Sequence, residues 1–361
     1  MRALVGFDGF VDLIMDLVDV RTEMSPDGYR RIATLEALAK RIGSASGKST
    51  NIEGVTREKR WGGNGPLLAG GVACLGMRTT YVGAVGRDGD PRTLDPVFAP
   101  FASLCQRVVP IAAPGRTDAM EFADGKLMVN HCGPVQDVTW DRIVDVVGLD
   151  AVRGEVGAAH LLGIVNWSLL GGVNGIWRGL IDHVLPAVAA RPGVFIDLSD
   201  PAKRTDADVR AGLALLMEMN ALTPVTLGLN LAEAERLCAV LAAPSAGATL
   251  PERVLTMAQG LREALRLACV VIHPREGAGA ATSSGESVWF DGPLTSAPRI
   301  STGAGDHFNA GFAAARVAGL GLEQSLAAGT AVSGAYVRDG EAPTLGRVCE
   351  FLRHLPEPDR G

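Results

Sequence analysis

Ser301-Thr302-Gly303-Ala304-Gly305-Asp306-His307-Phe308-Asn309-Ala310-Gly311-Phe312 sets a glycine-rich turn directly before an Ala-rich stretch of helical period, with a carboxylate where the two meet. The first N–H groups of a helix lack intrahelical acceptors and lie at the positive end of the macrodipole, so such a junction holds a phosphate that gains charge during transfer. The amides of Gly303, Ala304 and Gly305 would form the anion hole, and Asp306 would stand beside it as a base for an alcohol. Gly303 and Gly305 allow positive φ and close approach, while Phe308 and Phe312, four residues apart, give the helix a face to bury. Taken alone, a first-turn Asp is also an ordinary helix-dipole or capping residue, so the rest of the chain has to decide between the two readings.

The chain of 361 residues is long enough for one large or two ordinary domains. With 47% hydrophobic and 20% charged residues it has the composition of a soluble globular protein. A net charge of −6 argues against nucleic acid or an anionic membrane as partner, because both require a concentrated basic surface. Cys74, Cys105, Cys132, Cys238, Cys269 and Cys349 show no CxxC or CxxH spacing and read as reduced thiols of a cytoplasmic protein. The N-terminal apolar run is interrupted at Asp8 and has no signal-peptide core, and no stretch approaches the roughly 20 apolar residues of a membrane span.

Short apolar runs alternate with longer helical segments, the pattern of crossover units around a parallel sheet, so a three-layer α/β fold is expected. Strands are expected at 2–7, 79–85, 160–166, 193–198, 225–229 and 269–273. Helices are expected at 65–75, 174–189, 231–242, 251–267, 306–318 and 322–338. Two regions break the alternation. Residues 13–60 hold a helical stretch from Tyr29 to Ile42 between strand-like Leu13–Val20 and Asn51–Lys59, and residues 117–130 read as a hairpin turning at Asp124-Gly125. The domain reading is a nucleotide- and substrate-binding core of residues 1–12 and 61–361, with 13–60 as a lid-type insertion to which the hairpin either belongs or adds edge decoration.

Gly43-Ser44-Ala45-Ser46-Gly47-Lys48-Ser49 mimics a phosphate-binding loop, but it is one residue short between its glycines and follows a helical stretch instead of a strand. Asp8 and Asp12 follow the first strand, where carboxylates in open α/β sheets face the ligand crevice and suit sugar hydroxyls. Trp61-Gly62-Gly63-Asn64-Gly65-Pro66 opens an apolar helix and lets a ligand approach the backbone, although a tight turn with Pro66 early in the helix reads equally well. Asn230 can cap the helix after the strand at 225–229 while Glu233 reaches back, either as a capping box alone or as a carboxylate holding hydrated Mg²⁺. Arg275, in the loop after the strand at 269–273, is offered to a phosphate or simply solvated. The six histidines include no paired metal spacing.

Taken in order, Gly6 to Asp12, Gly62-Gly63, Asn230-x-x-Glu233 and Gly303-Ala304-Gly305-Asp306 make the chain resemble the ribokinase-like (PfkB-type) carbohydrate kinases over nearly its whole length. The resemblance implies a three-layer α/β/α fold with a mostly parallel central sheet and a small β lid. It also implies ATP-dependent transfer of the γ-phosphate to a hydroxyl of a sugar or related polyol. In that reading Asp306 is the general base and the amides of 303–306 form the anion hole. Asn230 and Glu233 organise Mg²⁺ through water, and Asp12, Gly63 and Asn64 contact the acceptor. The lid strands suit a homodimer.

Departures limit the transfer. Ile300 and Ser301 replace the family's Asp-Thr, which removes the acid behind monovalent-cation activation, and Leu67 stands where the family has its sugar-contacting Asn. His273-Pro274-Arg275 replaces a Thr-x-Gly, so one phosphate contact is either made by Arg275 or missing. The alternatives are a nucleoside kinase and a catalytically silent sugar- or nucleotide-binding member of the fold. A dinucleotide oxidoreductase is disfavoured, because the glycine motif lacks its third glycine and lies late in the chain.

Overall fold

A computed structural model describes residues 1–359. Its nine-stranded sheet runs, edge to edge, Ser287–Asp291, Gly277–Thr282, Cys269–Ile272, Val225–Leu229, Gly193–Asp197, Leu161–Val165, Arg2–Phe7, Arg78–Gly83 and Arg107–Pro110. Pairing is parallel from Cys269–Ile272 through Arg107–Pro110, and only the last two strands on the opposite edge pair antiparallel.

Successive strand residues feed opposite faces, and the core divides accordingly. Leu4, Leu162 and Ile164 pack in one cluster with Val209, Leu213 and Leu216 of helix Asp206–Leu222. Ala3, Val5, Leu161 and Val165 pack on the other face with Leu68, Val72, Phe308 and Phe312. Each such Val, Leu, Ile or Phe side chain contributes roughly 1.5–3 kcal/mol on burial, so the three layers follow from the period-2 alternation of strands apolar on both faces. Helices Asn64–Cys74 and Ala304–Val317 lie side by side in that second layer. A Cβ on Gly71 would come within 2.7 Å of the Ala310 Cβ, so the small residues set how near the two helices approach.

Several elements differ from the sequence expectation. Helix Asp206–Leu222 had no counterpart, although Val209, Leu213, Leu216 and Met219 recur at helical spacing behind the Thr205 cap. Helices Trp140–Val147, Leu149–Ala158 and Leu345–Arg353 were likewise unassigned. The expected helix 174–189 is α-helical over Val173–Gly179, widens into a π turn at Leu180–Val184 and ends in a tight turn at Leu185–Ala187. Pro186 donates no N–H and cannot continue a regular ladder. The loop at 43–49 follows the C-terminus of a helix and makes ordinary turn bonds, as its spacing implied.

A second sheet joins Phe10–Arg21, Tyr29–Arg31, Gly54–Gly62, Gly115–Phe122 and Gly125–His131. Strands Phe10–Arg21 and Gly54–Gly62 cross the 12/13 and 60/61 boundaries drawn from sequence. Tyr29–Arg31 is a strand, and the helix occupies Leu35–Gly43, because the Thr34 side chain accepts the Ala37 N–H and fixes the helix start there. Gly115–Phe122 pairs parallel with Phe10–Met15, which places the hairpin in this sheet and not on the edge of the large one. Its turn residue Asp124 reaches across to the helix, accepting Leu35 N–H at 2.7 Å and Glu36 N–H at 3.3 Å, and these bonds hold its carboxyl below the ordinary range. Asp124→Ala is expected to lower stability, as the loss of a helix cap does, and denaturant unfolding checks it. Among the described residues no helix is long and apolar enough to cross a membrane.

Candidate active site

The large sheet presents the carboxyl ends of its parallel strands to one crevice, where two cavities meet. The first, about 370 Å³, lies between the loop after Cys269–Ile272 and helices Ala304–Val317 and Leu322–Asp339, and its walls include Pro274, Arg275, Pro293, Leu294, Ala304 and Val337. The second, about 420 Å³, lies beneath the second sheet and is more polar, with Asp12, Asn64, Thr117, Asn130, Asp197 and Asp306 on its walls. Asn230, His273 and Gly305 line both. The sequence candidates thus separate by position. Asp12, Gly63, Asn64, Glu233, Gly303 and Asp306 border the polar cavity, and Ala304 and the exposed Arg275 border the apolar one.

Asp8 corrects the sequence reading. It is fully buried and borders neither cavity. Its carboxylate accepts Asn64 N–H at 3.0 Å, Gly65 N–H at 2.6 Å and the Asn166 side-chain amide at 2.7 Å, while its own carbonyl accepts the Tyr81 hydroxyl. Burial outweighs these bonds and lifts its pKa to about 6. Asp8 therefore pins the start of helix Asn64–Cys74 instead of meeting a ligand. Gly63 bends the chain into that helix at φ 105°, where an added Cβ would sit 3.1 Å from the Asp8 carboxylate.

Pinning Asn64 matters because its side chain donates to Asp306 Oδ1 at 2.9 Å and accepts from Ser199 Oγ at 3.2 Å. Asp306 is 7% exposed, and its carboxyl is raised well above the usual range, first by burial and then by the charge of Asp197. Asp197 ends strand Gly193–Asp197 and is held by Ser199 N–H and the Asn309 side chain, each at 2.6 Å. Glu233 and Asn230 form a reciprocal capping box, each side chain taking the other's N–H at 2.9 Å. Burial and then Asp197, with Asp200 and Asp306 adding, raise Glu233 to about 9. Lys203 is the basic side chain of the polar cavity, 3.7 Å from Asp200.

Sequence reasoning missed Asp197, Asn166, Ser199 and Lys203. Asp197 was findable by the rule already applied to Asp12, a carboxylate at the carboxyl end of a parallel strand. Asn166 and Ser199 take positive φ of 63° and 58° just after their strands, a backbone state the sequence does not announce for Ser.

The comparisons with known proteins agree with this geometry. The chain is 31% identical over 355 residues to a ketohexokinase of Haloferax volcanii, covering 97% of this chain and 90% of that one. Among solved structures, a phosphofructokinase-2 mutant of Escherichia coli aligns at TM-score 0.67 and 16% identity, covering 98% of both chains. A ribokinase of Arabidopsis thaliana complexed with ribose and ATP aligns at TM-score 0.64 and 17% identity, covering 98% of this chain and 99% of that one. At such identities the two structures speak for the fold alone, which is ribokinase-like, with helices on both faces of the mostly parallel sheet. The family model of prokaryotic ketohexokinases matches residues 1–355. The chain therefore belongs to the prokaryotic ketohexokinase family, PfkB-type enzymes that transfer phosphate from ATP to a sugar hydroxyl.

Proposed function

We propose that this kinase phosphorylates a ketohexose bound in the polar cavity, with ATP in the apolar one. The observation that carries the assignment of the cavities is their meeting point, where Gly305 borders both and Asp306 borders the polar side alone. A purine needs an apolar slot and a sugar needs hydrogen-bonding groups around its rim, and the two linings divide in that way. Ketohexose is favoured over other sugars by the name of the Haloferax relative, and over a nucleoside by the polarity of the second cavity.

In this reading Asp306 takes the proton of the attacking hydroxyl, and Asn64 holds the carboxylate in line through the 2.9 Å bond. The amides of Gly303, Ala304 and Gly305 receive the transferred phosphate, Arg275 borders the donor phosphates, and Asp12, Gly63 and Asn64 contact the sugar. Phosphoryl transfer asks mainly for positioning and charge stabilisation, and these groups supply both. Mg²⁺ is the expected companion of ATP. Burial, with the charges of Asp197, Asp200 and Asp306 adding, raises Glu233 to about 9, and a divalent cation would offset that build-up of negative charge. Among the described residues no three such side chains converge as direct ligands, so the ion would be held through water, with Glu233 and Asn230 orienting it. When bound, the ion screens the phosphate charge.

The second sheet is proposed as the lid of the acceptor cavity, which Thr117, Met128 and Asn130 wall from that side. Its outer strand Gly125–His131 exposes Leu127, Met128 and Val129, which supports pairing with a second copy; sedimentation of the full chain reads this directly. The test of function is ADP release from Mg-ATP across ketohexoses, aldohexoses, pentoses, polyols and nucleosides. Selective stimulation by a ketohexose is expected. Equal or better turnover with a nucleoside or pentose would overturn the acceptor assignment.

A further inference from the structure

Three successive carbonyls of the loop at 302–304 each accept a hydrogen bond from a side chain of helices Ala304–Val317 and Leu322–Asp339. Tyr336 Oη donates to Thr302 O at 2.9 Å, His307 Nδ1 to Gly303 O at 2.8 Å, and Ser333 Oγ to Ala304 O at 2.9 Å. The His307 and Tyr336 rings stack with centroids 3.6 Å apart and planes at 12°, and both residues are buried. In a trans peptide the C=O and the N–H of the following residue point in opposite directions. Holding the carbonyls of 302, 303 and 304 therefore helps aim the N–H groups of 303, 304 and 305, the three amides assigned to the anion hole; Gly303 O also accepts the His307 N–H at 3.1 Å, and the Ala304 N–H meets Ser301 O at 3.3 Å.

We propose that Tyr336, His307 and Ser333 are positioning residues that preorganise the anion hole by fixing its peptide planes, Tyr336 and His307 from outside the two cavities and Ser333 from the wall of the apolar one. The inference rests on the assignment of that loop as the phosphate site. It gives a role to His307, the residue after the catalytic Asp, which the chemistry otherwise leaves unused. Burial keeps the imidazole neutral, with a pKa lowered to about 4, and raises Tyr336 to about 12, so both remain uncharged through the neutral range. A neutral imidazole facing a carbonyl carries its proton on Nδ1, the tautomer this contact requires. Gly303 takes φ 87°, and a Cβ there would lie 3.0 Å from Tyr336 Oη, tighter than ordinary contact. The loop and its support are thus in direct contact.

The test uses variants that delete one donor each, Tyr336→Phe, Ser333→Ala and His307→Leu, with His307→Asn keeping a donor near the Nδ1 position. Removing a direct oxyanion donor costs about 10²–10³-fold in kcat, so each indirect support is expected to cost ~10-fold and the Tyr336→Phe/His307→Leu pair ~10²-fold. The sugar KM should move less than about threefold, because the lost contacts act on the transferring phosphate and not on the bound sugar. For Tyr336→Phe and His307→Leu, whose side chains lie outside the cavity assigned to ATP, affinity for ADP with aluminium fluoride, which mimics the planar transferring group, should fall in parallel with kcat while affinity for ADP alone holds. His307→Asn should recover most of the His307→Leu loss. Unchanged kcat and unchanged fluoride-complex affinity in the double variant would overturn the proposal, as would equal loss of ADP, sugar and fluoride-complex binding. Calorimetry of the fluoride complex needs no acceptor, so a wrong ketohexose assignment appears as wild-type inactivity with that sugar and leaves this comparison intact.

Discussion

Asp306→Asn is expected to lower kcat by roughly 10²–10⁴-fold, the contribution of a positioned general base, with folding and ATP affinity preserved. The substitution keeps the shape and an oxygen for the Asn64 amide to reach, and it removes one of the mutually repelling acids, so stability should hold or rise. Wild-type activity should also show where the base titrates. Burial and Asp197 raise the Asp306 carboxyl, so the free enzyme takes up its proton at a higher pH than an ordinary Asp would. A base works deprotonated. The kcat/KM profile should therefore fall as pH drops through that raised value, with the acid limb above the usual carboxylate range, and saturating Mg²⁺ should shift the limb downward by favouring the charged forms. A pH-independent rate through the mildly acidic range, or an Asp306→Asn enzyme with near wild-type kcat, would remove Asp306 from its role.

Glu233→Gln should separate stability from activity. With the folded pKa raised to about 9, the native state holds a proton on Glu233 that the unfolded chain has already released at neutral pH. The native state binds more protons in that window, so wild-type stability falls as pH rises from the unfolded carboxylate pKa toward the folded one, by at most about 1.4 kcal/mol per pH unit. Gln carries no charge and can still accept the Asn230 N–H, so the variant should lose this pH dependence and become the more stable protein at alkaline pH. Mg²⁺ should stabilise wild type more than the variant. Turnover should fall by about 10²-fold, on the order of losing one electrostatic contact to the transferring group. Urea unfolding at several pH values, with and without Mg²⁺, provides the measurement. Parallel stability curves for the two proteins would show that Glu233 is only a cap.

The sequence disclosed the architecture where local chemistry and tertiary demand coincide. The runs at 2–7 and 225–229 are apolar on both faces, and Asn230-x-x-Glu233 announces its helix by its own hydrogen bonds. It also placed Gly303, Ala304, Gly305 and Asp306 at a helix start, where the structure has them, although such a junction serves capping as readily as phosphate binding. It misplaced Asp8, since position at a strand end does not distinguish a carboxylate facing the crevice from one turned under it. Only the contacts with Asn64, Gly65 and Asn166, up to 158 residues away, show which it is. Tyr29–Arg31 was drawn into a helix because its strand pairing depends on Val18–Arg21, a partner beyond any local window. Tyr336 and Ser333 were invisible for the same reason, lying about thirty residues from the carbonyls they hold.

The first strand, Arg2–Phe7, lies between Arg78–Gly83 and Leu161–Val165, and Asn64 meets Asp306 across 242 residues of chain. Such separations make loop closure dominate the folding barrier and push assembly toward the end of synthesis. On the ribosome, the earliest residues to emerge wait for strand partners made much later, and the Asn64–Asp306 contact forms late. Nascent chains that stop short of residue 306 can assemble most of the sheet yet expose the strand faces that helix Ala304–Val317 would cover. Those intermediates are the ones a chaperone would engage, so heat-stressed cells should lose newly made kinase well before they lose the mature enzyme.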